Sequence, residues 1–214
     1  MGTLTRKFAN NFTTGGVYKP AAITNNSLAN ITDIPAAAKG KLTLISSQTA
    51  SASASIEFTS GIDSTYHTYL FKFVDIHPAT QGVGFSFQAN TGYNQTITST
   101  VFRAYHNEAG TDTALTYDTS NDQAQGTGFQ RLMAYVDNQN DDAGNGELFI
   151  FNPSSTTYVK HFISKSSYSY SRPYEGNDFV AGYFNTTSAI NAVQFKMSSG
   201  NIDAGTIYMY GIGA

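Results

Sequence analysis

The chain has 214 residues, of which 13% are charged, 40% apolar and 14% aromatic, and its formal net charge is −3. The charged fraction is about half of the ~25% usual in soluble domains. With 15 Phe and 14 Tyr to bury, intrinsic disorder of the whole chain is excluded. No apolar run approaches the ~20 residues that cross a bilayer, so membrane insertion is not expected.

Residues 1–40 read differently from the rest. Phe8, Phe12, Val17, Tyr18, Ile23, Leu28, Ile31 and Ile34 follow neither a period of two nor one of 3.6 for long. Asn10-Asn11, Gly15-Gly16, Pro20, Asn25-Asn26 and Pro35 punctuate them with turn and extended-chain residues. Such a segment has no core of its own and is either a tail or an arm. Apolar residues recurring every few positions suit an extended N-terminal arm, with Phe8, Phe12, Val17, Tyr18, Ile23, Leu28 and Ile31 as its contacts on a neighbouring subunit. The start lacks the apolar stretch of a secretory leader, and Arg6 stands where an acylation signal needs Ser or Thr.

From Lys41 short β patterns take over. Leu42 and Leu44 lead into Ser53–Thr59, where Ala54, Ile56 and Phe58 alternate with polar residues. Tyr66–Ile76 carries Tyr69, Phe71 and Phe73 on one face, and Val83, Phe85 and Phe87 form the next run. Strand patterns continue at Thr96–His106, Phe129–Asp137, Glu147–Phe151, Thr157–Ser164, Asp178–Asn185, Ile190–Met197 and Thr206–Ile212. Only Asp118–Gln125 suggests a short helical turn. Ten or eleven strands without helices must each bury one face against another sheet. The expectation is an all-β fold: a two-sheet antiparallel sandwich of jelly-roll type spanning residues 41–214, closed by the apolar last strand.

Chemistry-bearing motifs are sparse. The chain has no Cys, which removes disulfides, thiolate metal sites and Cys nucleophiles. Its Lys and Arg are scattered singly, without the clustered basic face that nucleic acid requires. His67, His77, His106 and His161 lack metal-pair spacing, and His67 and His161 fall on the solvent side of their strand patterns. No GxSxG elbow surrounds a serine. The carboxylates lie mostly in Asn/Gly/Thr loops, a poor setting for a facing glycosidase pair. The acidic loop Asp137–Glu147 is the best cation candidate, but in the EF-hand register Asp142 stands at the glycine position and Leu148 at that of the bidentate Glu. No metal, cofactor or enzymatic activity is expected. The stretch Ser166–Tyr174 reads as a loop with paratope-like Tyr and Ser composition. Tyr168, Tyr170, Arg172 and Tyr174 are its candidate contacts to a subunit, a virion partner or a glycan, with Tyr168 and Tyr170 on one face if extended.

Several segments carry a resemblance. Leu44–Phe58 (LISSQTASASASIEF), Gly61–Tyr66, Phe151–Lys160 (FNPSSTTYVK), Phe179–Ile190 (FVAGYFNTTSAI) and Phe195–Ile202, continuing into Gly205–Ile207, resemble virion proteins of marine, cyanophage-like tailed bacteriophages. The resemblance spans most of residues 42–213 and implies a virion structural or surface role without assigning catalytic residues. The expectation is a non-enzymatic virion protein of head decoration or cement type, assembled in the host cytoplasm and held to other capsid or tail proteins by its arm. A homotrimer or other homo-oligomer is expected with it. The alternative is a receptor-binding tail fibre or adhesin domain contacting host surface glycan.

Overall fold

The computed structural model describes residues 42–90, 92–170 and 173–213, all within the compact unit Gly40–Ala214. The arm residues Phe8, Phe12, Val17, Tyr18, Ile23, Leu28 and Ile31, and Arg172, lie outside the described residues. What is described is all-β. Thirteen strands follow in order: β1 (Thr43–Thr49), β2 (Ile56–Phe58), β3 (Thr68–Pro78), β4 (Val83–Ala89), β5 (Ile97–Asn107), β6 (Thr113–Tyr117) and β7 (Ala124–Gly126). Then come β8 (Gln130–Val136), β9 (Gly144–Phe151), β10 (Lys160–Tyr170), β11 (Tyr174–Phe184), β12 (Val193–Met197) and β13 (Ile202–Ile212).

All pairings between these strands are antiparallel, and they join into one hydrogen-bonded sheet that nearly closes on itself. A long ladder runs β1-β13-β3-β9-β10-β11-β5, with β6 and β7 both on the outer edge of β5. A short ladder runs β8-β4-β12-β2. The pair Tyr170↔Val136 links the two. Between them the chain crosses repeatedly, because β2, β4, β8 and β12 of the short ladder are each preceded and followed by strands of the long one.

The crossing is driven by inward aromatic side chains at every second position. Phe195 of β12 is the hub. Its ring lies 5.3 Å from those of Phe71 and Phe73 on β3, 5.7 Å from Phe85 on β4 and 6.3 Å from Phe58 on β2. Phe87 on β4 continues the contact to Phe162 on β10 and Phe184 on β11, at 5.1 and 5.7 Å. These rings are fully or almost fully buried, and burying each contributes roughly 1.5–3 kcal/mol of gross transfer energy.

Several expectations are corrected. The Ser53–Thr59 pattern forms a strand only over Ile56–Phe58, with a separate single bridge from Ser53 to Ile202. The suggested helical turn at Asp118–Gln125 is a turn running into β7. Ser166–Tyr174 is not a loop: β10 continues to Tyr170 and forms a hairpin with β11, in continuous register from Lys160↔Phe184 to Tyr170↔Tyr174. The reason is that β10 turns small polar groups and a cation inward. Ser164 and Ser166 are buried and donate to the carbonyls of Glu147 (2.7 Å) and Leu132 (2.8 Å). Buried Lys160 Nζ donates to the carbonyls of Tyr158, Thr187 and Thr186 at 2.6, 3.3 and 3.4 Å. Hydropathy alone therefore shows the strand only as far as Ser164 and hides its continuation to Tyr170.

Candidate functional site

The hairpin carries the sequence-derived tyrosines to one end of the body, where β5, β8, β10 and β11 meet. Along β10 the even-numbered residues face inward, so Tyr168 and Tyr170 share a side as expected. In register they meet Gly176 and Tyr174 on β11, and β11 in turn meets Arg103, Tyr105 and Asn107 on β5. The inward groups form two tiers.

The lower tier is a buried ionic knot. Arg103 Nε donates to Asp178 Oδ1 at 3.1 Å, and Nη2 pairs with Asp118 Oδ2. Asp178 Oδ2 also accepts from the Ala134 backbone N–H at 2.8 Å and from the Tyr168 hydroxyl at 3.0 Å. Asp118 is held by Ser120 (N–H and hydroxyl) and the Asn121 amide. Burial raises the Asp178 pKa above its ordinary value, against the pull of Arg103. Burial opposes the charge on Arg103, but the neighbouring Asp178 carboxylate, paired with it, favours the charged form and its pKa rises. Tyr168 is pushed up by burial and by Asp178, so its phenol stays protonated and remains a donor. It is fully enclosed, which removes it from the candidate contact residues. Its role is to support the tier above. Gly176 allows this, because a Cβ there would lie 2.8 Å from the Tyr168 ring.

The upper tier is a cluster of half-exposed tyrosines. The rings of Tyr105, Tyr170 and Tyr174 lie 5.7–6.2 Å apart and meet at 55–72°, while Tyr135 packs 5.2 Å from Tyr170. The Arg103 guanidinium lies 4.9 Å from the Tyr135 ring centre and 5.7 Å from that of Tyr170, within cation–π range. Above them Tyr105, Tyr170, Tyr174 and Asp112 enclose an open cavity of about 210 Å³. The Tyr174 hydroxyl donates to Asp112 Oδ2 at 2.9 Å, and this bond raises the Tyr174 pKa. Asp112 is placed by its loop, where Asn107 Oδ1 accepts from the N–H groups of Thr111 and Asp112. Tyr174 also borders a second cavity of about 410 Å³, lined in part by His106, Glu108, Asp141, Asp142 and Glu175.

Tyr170 and Tyr174 are therefore brought together, Tyr168 is withdrawn, and Arg103, Tyr105, Asp112 and Tyr135 join them. Only the inward phase of Tyr105 in its strand pattern could have flagged any of these from sequence. In the acidic loop Asp137 and Asp142 are buried. Among the described residues no group of three or more His, Asp or Glu is placed to hold a metal ion. His67, His106 and His161 are exposed, and His77 Nε2 lies 3.2 Å from the Gln139 carbonyl. What the site offers is aromatic surface, the Tyr174 hydroxyl bonded to Asp112 and carboxylate acceptors. Compared with known proteins, the chain matches no family model, no curated protein and no solved structure.

Proposed function

We propose that this chain is a non-enzymatic structural protein of a phage virion, of capsid decoration or cement type, anchored to other virion proteins through residues 1–40. The body is read as a jelly-roll-type sandwich whose two layers are the long and short ladders, supported by the repeated crossings between them. The observation that carries the assembly reading is the outer face of the long ladder. Phe102 stacks on Phe179 at 5.1 Å and Phe149 on Phe151 at 6.3 Å. Ile163 (50% exposed) faces Phe149 and Ala181 in register, and Leu115 on the edge strand β6 is 72% exposed. An apolar face of this kind, bordered by the Lys165–Glu147 ion pair, marks a contact surface, and it supports a homotrimer or other homo-oligomer that covers it.

Sedimentation of the full chain tests this. An oligomer is expected, converted to folded monomer by Ile163→Lys with Phe102→Lys. A wild-type chain that stays monomeric at high concentration overturns the oligomer, and particle incorporation undiminished by deletion of residues 1–35 overturns the anchoring. The tyrosine-lined mouth favours a second reading, a receptor-binding fibre or adhesin domain that contacts a ligand there, host surface glycan being the first class to try. Loss of cell binding in Tyr170→Ala and Tyr174→Ala is its test.

A further inference from the structure

We propose that the cavity between Tyr105, Tyr170, Tyr174 and Asp112 binds an alkylammonium group, such as a quaternary trimethylammonium, in preference to a neutral sugar. The proposal rests on the ligand-binding reading of the mouth and narrows its chemistry.

Shape comes first. A pyranose ring stacks on a flat aromatic platform, whereas these three rings meet at 55–72° and form a corner. A corner suits a compact, roughly spherical group. With centroids 5.7–6.2 Å apart, one ammonium in the corner can lie within about 6 Å of all three centroids at once, and each ring whose face it meets attracts it. The cavity of about 210 Å³ leaves room for such a head group.

Charge decides the class. Asp112 lines the cavity itself, and Glu108, Asp141, Asp142 and Glu175 line the adjoining one across Tyr174. Asp141 and Asp142 have partners of their own, and Arg172 follows nearby in the sequence. With Asp141 and Asp142 set aside, Asp112, Glu108 and Glu175 keep the mouth acidic. The Arg103 charge beneath is matched by Asp178 and Asp118. The field at the mouth thus attracts cations and repels anions, so a phosphate attached to the ligand weakens binding.

Calorimetric titration of the full chain uses four probes: choline, its neutral isostere 3,3-dimethylbutanol, phosphocholine and a neutral oligosaccharide. Choline is expected to bind at least about tenfold more tightly than the isostere and more tightly than phosphocholine. Tyr174→Ala and Asp112→Asn should each remove most of that preference. Tyr174→Phe keeps the ring and should retain choline binding, which guards against a folding defect. Equal binding of choline and its isostere overturns the proposal. An oligosaccharide that binds and is lost in Tyr174→Ala, with no choline binding, overturns the cationic class and leaves the ligand site standing. Binding by none of the four overturns both.

Discussion

Replacing Asp178 with Ala tests whether the ionic knot is the floor of the mouth. The carboxylate receives three donors, from Arg103, Tyr168 and the Ala134 backbone. Its removal leaves all three short of a partner in a buried setting, while Asp118 still compensates part of the Arg103 charge. Breaking a buried ion pair from one side costs about 3–5 kcal/mol, and the retained Asp118 contact points to the lower half of that range. For a body of this size each kcal/mol moves the melting temperature by roughly 2–4 °C, so a fall of roughly 6–16 °C is expected. Thermal and urea unfolding followed by near-ultraviolet circular dichroism, which reports the tyrosines directly, gives the value. Tyr168→Phe is the calibrating variant. It removes one donor and leaves Asp178 with two, so about 1–2 kcal/mol is expected. If Asp178→Ala costs no more than Tyr168→Phe, the knot does not hold the strands and the argument fails.

Other outcomes follow from the same contacts. Because burial raises the folded-state pKa of Asp178, the native state binds a proton more tightly than the unfolded chain. The contribution of Asp178 to stability therefore falls as pH rises from the unfolded carboxylate value to the raised folded one. Carbon-13 titration of Asp178 should show a midpoint above that of a free aspartate, and the stability gap between wild type and Asp178→Asn should shift in that direction. Gly176→Ala drives a methyl group into the Tyr168 ring and should cost about 1–3 kcal/mol, with a change in the tyrosine dichroism. Lys160→Met strips the ammonium from three carbonyls. A loss of about 1–3 kcal/mol in urea unfolding is expected, with unchanged ligand binding at the far end of β10.

The strands that were plain in the sequence are those whose inward positions are Phe, Ile or Val, such as Phe71 and Phe73 or Phe85 and Phe87. Their period of two survives because one face must leave water. β10 was half visible for the opposite reason. Its inward residues alternate the buried rings of Phe162 and Tyr168 with Lys160, Ser164 and Ser166, which are satisfied by carbonyls, so the hydropathy signal is broken along the strand. β6 was missed because Thr113–Tyr117 is an edge strand exposed along nearly its whole length, leaving burial no pattern to impose. The site was legible only as far as its local part. Tyr170 and Tyr174 lie four residues apart and a hairpin brings them together. Arg103 and Asp178 are separated by 75 positions, and only the β5–β11 register makes them partners.

That register has a consequence for how the two surfaces relate. In β5, β10 and β11 neighbouring residues serve opposite faces: Phe102 points out and Arg103 in, Phe179 out and Asp178 in, Ser167 out and Tyr168 in. Copies joined through the outer face would leave every tyrosine mouth uncovered on the far side of the same strands. An oligomer of this kind is a multivalent array, and a ligand displayed at suitable spacing binds it with an avidity that no single mouth has. Choline coupled to a polymer should therefore bind the wild-type chain about a hundredfold or more tightly than free choline does. In the Ile163→Lys, Phe102→Lys monomer the polymer should lose that gain while free choline binds as before. Equal gains in both forms would show that the outer face does not join the copies, and a loss of free choline binding in the monomer would show that the two faces of these strands are not independent.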